Sequence, residues 1–217
     1  MRALWRHVEY NYREGGIRQV LHKVLWRLQQ WLWSEGEWLV YRLNVADCQR
    51  EAALPLGRSH LGFDALRELG YFKALAFPEV IRARLDSGVF CEGFFLDGEL
   101  VNIAWRSRGF LEMEPGVSIC EAGCVGIFDC YTLPEHRSKG IYTDTLLLLA
   151  KAIREEGGHA ALIAVDPANH PSIKGIERAG FEPLCRLTHL RRFGRQVLRR
   201  SEFPSRRGSA ALSDTPG

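Results

Sequence analysis

The chain has 217 residues, of which 46% are hydrophobic and 25% are charged. These proportions are those of an ordinary globular protein, and they exclude a chain that is disordered throughout. The formal net charge of +3 is too small to indicate a protein that binds nucleic acid. No apolar stretch reaches the roughly 18 residues of a membrane-spanning helix, and no secretory segment precedes the six cysteines. We therefore expect free thiols in a reducing cytoplasm.

The two ends of the chain differ in composition from the middle. Residues 1–36 are basic and aromatic, and their apolar side chains recur at helical spacing. This extension is expected to be a helix that packs on the domain or on a second copy of the chain in a homodimer. The alternative is an interfacial helix at the inner face of a membrane. Residues 37–200 are expected to form one domain, and residues 201–217 a disordered tail.

Between these ends, strand and helix signals alternate. Asp97-Gly98 separates two apolar runs and predicts a β-hairpin. In chain order, the pattern predicts a strand at 38–43, helices near 60–70 and 77–86, hairpin strands at 90–96 and 100–105, a strand at 124–133, a helix at 142–156, a strand at 160–165, a helix at 172–179 and a hairpin over 183–200. This order indicates an α/β fold with a mixed sheet, in which strands 124–133 and 160–165 form a parallel crossover unit.

The segment between strand 124–133 and helix 142–156 carries the main functional signal. It reads Pro134-Glu135-His136-Arg137-Ser138-Lys139-Gly140. A helix N-terminus exposes unpaired backbone N–H groups and partial positive charge, and a glycine lets phosphate oxygens approach the backbone. Arg137 and Lys139 add positive charge. The segment is therefore either a pyrophosphate site or an ordinary turn with a solvated basic face. Neither nucleotide-binding glycine motif is present.

Two segments together resemble the signature of a known superfamily. Pro134 to Tyr142 is similar to motif A of the GNAT (Gcn5-related N-acetyltransferase) superfamily, and Asp166 to Ser172 with Ala179-Gly180-Phe181 is similar to its second half. The resemblance implies a mostly antiparallel central sheet with one splayed parallel pair and helices on both faces. It also implies acetyl-CoA as cosubstrate. No metal is expected, because no second Cys/His pair follows Cys120 and Cys124 at zinc-finger spacing.

The resemblance further implies which residues hold acetyl-CoA. The pantetheine arm would pair with the backbone at the end of strand 124–133, and the loop with the following helix start would hold the pyrophosphate. Asn169 and Ser172 would lie near the pantetheine or cap the second helix. The implied cofactor-binding residues are Tyr131, Thr132, Leu133, Arg137, Ser138, Lys139, Gly140, Ile141, Tyr142, Thr143, Asn169 and Ser172.

Two positions depart from the superfamily pattern. Tyr142 stands where motif A usually ends in a small residue, so its ring must point away from the phosphates or the loop must differ in shape. Ile176 stands where the superfamily often has a Tyr that protonates the leaving thiolate. A proton donor would therefore have to come from elsewhere in the chain or from water.

Candidate catalytic residues lie on strand 124–133. Side-chain alternation places Asp129 and Tyr131 on one face. An Asp on an otherwise apolar face is costly to bury unpaired, which makes Asp129 a candidate base with a raised pKa. The alternative is an Asp129 that pairs with an Arg or caps a loop. Three glutamates precede this strand and are expected to line the acceptor pocket: Glu112, Glu114 and Glu121.

The function that these features favour is an acetyl-CoA-dependent N-acyltransferase of the cytoplasm, or of the inner face of the membrane through residues 1–36. Its acceptor would be a primary amine of a small molecule, an amino sugar or an envelope or polysaccharide precursor. One alternative, favoured by Ile176, is a non-catalytic module that binds CoA or a partner. Another is an acyltransferase whose donor carries a longer chain or is a carrier protein.

Overall fold

The computed structural model describes residues 33–68, 78–114, 117–193 and 195–203. The predictions for the N-terminal extension and the C-terminal tail fall almost wholly on residues 1–32 and 204–217, which lie outside the described part. The described helices are all too short or too polar to cross a membrane. The chain divides into two units, residues 1–37 with 187–200 and residues 38–186 with 201–217, and the site described below belongs to the second.

The described elements alternate as the sequence predicts. They are β1 (Trp33–Asn44), β2 (Gly57–His60), α1 (Phe63–Glu68), α2 (Pro78–Asp86), β3 (Phe90–Leu96), β4 (Glu99–Glu114), β5 (Val117–Thr132), α3 (Ile141–Glu155), β6 (Ala160–Val165), α4 (His170–Arg178), β7 (Glu182–Arg192) and β8 (Arg195–Glu202). The strands form one sheet in the order β2-β3-β4-β5-β6-β1-β7-β8. Strands β5 and β6 are parallel. The pairs β1–β6, β2–β3, β3–β4 and β4–β5 are antiparallel. The predicted mixed α/β sheet with one parallel pair is confirmed.

The crossover unit β5–α3–β6 forms the centre of the core. Helix α3 places Leu146, Leu149 and Ile153 at helical spacing on one face, and all three are fully buried. Strand β6 is almost wholly apolar and buried, as expected of a strand that is covered on both faces. This packing fixes the N-terminus of α3 close to the carboxyl end of β5, where the predicted pyrophosphate site lies.

Two strands differ from the prediction. Strand β1 begins at Trp33 and not at the predicted residue 38, and it lies antiparallel to β6, with Leu39 opposite Val165 and Asn44 opposite Ala160. This places it on the side of the sheet away from β2, a position set by long-range pairing that the local pattern does not encode. Strand β2 was not predicted, because its four residues are exposed and lack apolar alternation.

The β4–β5 hairpin is longer than predicted and bends sharply. Gly109 has a φ of 80°, and the register jumps there, from Arg108 opposite Val125 to Phe110 opposite Cys120. The bend brings the backbone of Phe110 onto Gly126, where a Cβ atom would lie 2.2 Å from the Phe110 carbonyl oxygen. Only glycine at position 126 allows this close approach. The hairpin end beyond the bend then forms one wall of the site.

A buried ion-pair network connects β3, β4 and the end of α3. Glu92 is fully buried, and one of its oxygens lies 2.5 Å from Nε of Arg106. The Arg106 guanidinium also makes two hydrogen bonds to the Glu156 carboxylate, at 2.7 and 3.0 Å. Partial burial works against ionisation of Glu156, but Arg106 and Arg108 hold its pKa below the usual range. The network thus pairs Glu92 with Arg106, two charged groups that the fold removes from water.

Candidate active site

The parallel strands β5 and β6 separate beyond Ile127 and Ile163, the last residues of their pairing. At this point β5 carries one extra residue relative to β4, since Phe128 and Tyr131 face Trp105 and Ile103. Asp129, within the bulge, has a φ of 46°. A bulge bends its strand and interrupts the hydrogen-bond ladder. The backbone edge of β5 from this bulge to Thr132 therefore faces a gap, here named the wedge, instead of β6.

The loop that follows β5 ends at an open helix N-terminus. A 3₁₀ turn over Pro134–His136 leads to Ser138 and Gly140, whose φ angles of 63° and 83° are both left-handed. Gly140 is the N-cap of α3 and offers no side-chain cap, so the first-turn N–H groups keep no intrahelical partner. A Cβ atom at Gly140 would meet nothing within 4 Å. The loop therefore has both the donors and the free space that an anion requires.

The three residues at the end of β5 have different backbone environments. Leu133 donates its N–H to Val101 of β4 at 3.1 Å, so this group faces the sheet. The Thr132 carbonyl accepts a 3.1 Å hydrogen bond from Nε of Arg137. The Arg137 guanidinium carbon lies 5.5 Å from the centre of the Tyr131 ring. In this conformation the Arg137 guanidinium lies over the end of β5.

Tyr142, Asn169 and Ser172 meet between α3 and α4. The Asn169 side chain caps α4 by accepting a 3.2 Å hydrogen bond from the Ser172 N–H. Of the two roles expected for Asn169 and Ser172, a place near the pantetheine or a helix cap, the structure shows the cap. Ser172 Oγ donates to the Tyr142 hydroxyl at 3.2 Å. The Tyr142 ring packs against Gly175, so it points toward α4 and leaves the space at the loop free. Ile176 is fully buried in the core and supplies no polar group.

A cavity of about 240 Å³ occupies the wedge. Its walls come from the bend of β4, the bulge of β5, the end of β6 and the first turns of α3 and α4. Fourteen residues of the described part line it: Trp38, Leu111, Glu112, Met113, Phe128, Asp129, Cys130, Tyr142, Ile163, Ala164, Val165, Asp166, Asn169 and Ser172. Three of these fourteen residues carry carboxylates, and none of the fourteen is Lys, Arg or His.

The candidate base Asp129 is not buried unpaired. Its side chain is 51% exposed and lies 2.6 Å from Nη1 of Arg84 on α2. The bulge breaks the side-chain alternation on which the expected burial rested, so that expectation is wrong and the paired alternative holds. The proposed role of Asp129 as a base stays a prediction. Sequence reasoning missed Arg84, because no local pattern relates α2 to β5.

The three glutamates predicted for the acceptor pocket separate in the structure. Glu112 lines the cavity, whereas Glu121 pairs with Arg42 at 2.6 Å and is absent from the described lining. The Glu114 side chain lies outside the described residues. Asp166 and Trp38 line the cavity but were not predicted to do so. The place of Asp166, directly after the buried strand β6, is a signal that could have identified it.

Cys130 lies in the cavity wall between Asp129 and the end of β5. Burial and then the neighbouring Asp129 carboxylate raise the pKa of its thiol well above the usual range. A nucleophilic cysteine requires the thiolate, so Cys130 is suited to packing and not to covalent catalysis.

Comparisons with known proteins point to one family. The model of the acetyltransferase (GNAT) family matches residues 66–181, which is more than half of the chain. No curated protein matches the chain. A GNAT-family acetyltransferase from Colwellia psychrerythraea has 16% identity and a TM-score of 0.54, over 73% of this chain and 56% of that one. A GCN5-related N-acetyltransferase from Kribbella flavida has 16% identity and a TM-score of 0.51, over 81% and 63%.

A third similar structure is the glucosamine N-acetyltransferase region of a fungal multi-domain GH3 β-N-acetylglucosaminidase. It has 10% identity and a TM-score of 0.53, over 82% of this chain and 23% of that one. At these identities the structures establish a shared fold, and the chain spans less than two thirds of each of the three.

The family match covers β3 to α4, the elements that build the wedge and the open helix N-terminus. The chain therefore belongs to the GNAT family of acetyltransferases.

Proposed function

We propose that the chain transfers an acyl group, acetyl in the simplest case, from acyl-CoA to the primary amine of a small cationic molecule. An amino sugar or an amine-bearing envelope precursor would meet this description. The observation that carries the proposal is the position of a carboxylate-lined cavity in the wedge, next to an open helix N-terminus. A negative acyl donor and a positive acceptor would thus be attracted to adjoining but different parts of one site.

The residues at the loop fit the anionic part of acyl-CoA. The first-turn N–H groups of α3 from Ile141 to Thr143 would hold the pyrophosphate, with Lys139 adding positive charge. The exposed backbone edge at Tyr131 and Thr132 would pair with the amide groups of the pantetheine arm as an added strand does. Arg137 would leave the Thr132 carbonyl and turn toward the phosphates. Binding in this way directs the thioester toward the bulge at Asp129.

The cavity fits an amine better than a neutral alcohol. Glu112, Asp129 and Asp166 give it negative charge, and Trp38 and Phe128 add apolar surface. A protonated amine must lose a proton before its nitrogen can attack the acyl carbon. Asp129 is held by Arg84, and one oxygen of Asp166 accepts the Ala168 N–H at 2.7 Å. Glu112, which makes no ion pair within the described ranges, is therefore the carboxylate that we assign to accept this proton.

The test measures thiol release from acetyl-CoA by the full chain with a panel of matched amines and alcohols on the same skeletons, glucosamine and glucose among them. We expect amines to be acylated at least about 100-fold faster than their alcohol counterparts. Glu112→Gln should lower kcat/KM for the best amine by roughly 100-fold, the usual size of a general-base contribution, with the Kd for CoA unchanged.

Glu121→Gln is the matched control. It makes the same substitution on the same hairpin, but its carboxylate is held by Arg42 and does not line the cavity. It should leave kcat/KM unchanged. If no amine accelerates thiol release, the proposal is overturned. CoA binding without turnover of any acceptor would identify the chain as a binding module instead.

A further inference from the structure

A second cavity lies between helix α3 and the segment of residues 45–56, which follows β1. Its volume of about 560 Å³ falls within the range of small-molecule sites in proteins, roughly 300–1,000 Å³. No described residue lines both this cavity and the wedge cavity. The proposed acyl transfer therefore gives the second cavity no role, and the chemistry of its walls indicates which ligand it would take.

Hydrogen bonds near both ends of α3 hold this segment in place. The Asp144 carboxylate, which is almost fully buried, accepts the N–H groups of Ala53 and Leu54 at 3.2 and 3.0 Å. Toward the other end of the helix, Nη1 of Arg154 donates to the Cys48 carbonyl at 3.4 Å. The two walls are thus tied to each other at both ends, so the cavity is formed before a ligand enters, as small-molecule sites usually are.

The wall that α3 contributes changes from apolar to basic along the helix. Leu147 and Leu148 line the cavity nearer the start of α3, and Lys151 and Arg154 line it nearer the end. Leu148, Lys151 and Arg154 recur at every third residue, which places them along one face. The distance along the axis from Leu147 to Arg154 is roughly 10 Å at the usual rise per residue. A ligand of this length would contact apolar side chains at one end and cationic side chains at the other.

The opposite wall shows the same change in polarity. Leu54 is held near the start of α3 and Leu56 follows it; both line the cavity and pack against the core. Arg50 also lines the cavity, and it lies toward the other end, because it follows Cys48, which is bonded to Arg154. The leucines of both walls are therefore at one end of the cavity, and three basic side chains are at the other.

Positive charge is in excess at the basic end. The guanidinium groups of Arg50 and Arg154 donate to backbone carbonyls, which carry no formal charge. Neither of them, nor Lys151, makes an ion pair with any residue in the described part of the chain. Against these three cations the described lining has one carboxylate, that of Glu51. A carboxylate on a ligand would therefore find charged hydrogen-bond donors that the protein itself leaves without an anionic partner.

We propose that the second cavity binds a small organic acid with an apolar body and a single carboxylate. Lys151, Arg154 and Arg50 would bind the carboxylate, and the apolar body would lie on the leucines of the two walls. A neutral amphiphile would leave the three cations without a partner, and a cationic one would be repelled by them. The inference goes beyond the proposed acyl transfer and does not depend on it.

Decanoate is a suitable probe, because it joins a carboxylate to an unbranched apolar tail. Isothermal titration calorimetry of the whole protein compares it with decanol and decylamine, which keep the tail and change the head group, below their micellar concentrations. We expect decanoate to bind at a single site and at least about tenfold more tightly than decanol, since hydrogen bonds to charged groups contribute at least this much. Decylamine should bind more weakly than decanol.

Lys151→Gln removes one of the three cations and should weaken decanoate binding by about ten- to a hundredfold, with decanol binding unchanged. Lys174→Gln is the matched control, because Lys174 is an exposed lysine of α4 that lines neither cavity. It should bind decanoate as wild type does. Saturating CoA should leave the Kd for decanoate unchanged, since the two cavities share no described residue.

Equal affinities for decanoate and decanol would overturn the inference. So would equal decanoate affinities of Lys151→Gln and Lys174→Gln, with both variants folded. Loss of decanoate binding in the presence of CoA would also contradict it, because that result would make the second cavity part of the acyl-CoA site. The amine panel tests the proposed acyl transfer separately.

Discussion

Replacing Gly140 with Asp is expected to weaken CoA binding by at least about 100-fold. A Cβ atom at this position meets nothing within 4 Å, and the residue directly precedes the first-turn N–H groups of α3, where the pyrophosphate is proposed to lie. A carboxylate about 4 Å from a phosphate costs on the order of 4 kcal/mol at the effective dielectric of a protein surface. Isothermal titration calorimetry with CoA measures the effect directly.

Gly157→Asp is the control for this substitution. Gly157 also has a left-handed φ, 81°, and open space around a Cβ atom, so the backbone strain of the two variants is comparable. It lies at the opposite end of the 15-residue helix, roughly 22 Å away at the usual rise per residue. Gly157→Asp should bind CoA as wild type does. Equal affinity of Gly140→Asp and Gly157→Asp, with both folded, would refute the assignment of the loop.

Replacing Gly126 with Ala is expected to destabilise the protein by about 2–3 kcal/mol. The added Cβ atom would lie 2.2 Å from the Phe110 carbonyl oxygen and 2.8 Å from Cα of Leu111. Both contacts are with backbone, so a rotamer change cannot relieve them. The bend of β4 must move, and with it the cavity wall at Leu111 and Glu112. The measurement is urea-induced unfolding, with the KM for the amine as a second readout.

Gly62→Ala is the comparison, because a Cβ atom at that glycine meets nothing within 4 Å. It should change the free energy of unfolding by less than about 0.5 kcal/mol, as surface substitutions usually do. In Gly126→Ala the KM for the amine should rise more than the Kd for CoA, since the hairpin borders the cavity and not the loop. Unchanged stability of Gly126→Ala would mean that the β4 bend does not lie against Gly126 in solution.

Local patterns were sufficient for much of the fold. The Asp97-Gly98 dipeptide predicts the turn because these two residue types accommodate left-handed φ angles. In the structure their φ angles are 51° and 84°. Strand β6 was predicted with its observed bounds, because a short apolar run that follows a helix and a glycine pair is a strong signal. Helix α3 differs by one residue at each end from its predicted range.

The parts that sequence reasoning missed depend on contacts between distant residues. The bulge at Asp129 disrupts strand alternation, and its partner Arg84 is 45 positions away. The bend of β4 requires a glycine at 126, which reads locally as an ordinary glycine in a strand. The ring of Tyr142 packs against Gly175 on another helix. Each of these features depends on a contact between two residues that are distant in the sequence, and neither residue alone predicts that contact.

Hydrogen–deuterium exchange of the wild-type chain with and without CoA tests the central claim most directly. We expect slower exchange with CoA in two segments, residues 129–133 at the bulge end of β5 and residues 137–143 at the start of α3. The second cavity, of about 560 Å³, lies between residues 45–56 and the Leu147, Leu148 and Lys151 face of α3. No protection in the two segments, or protection confined to that second cavity, would contradict the assignment of the wedge as the acyl-CoA site.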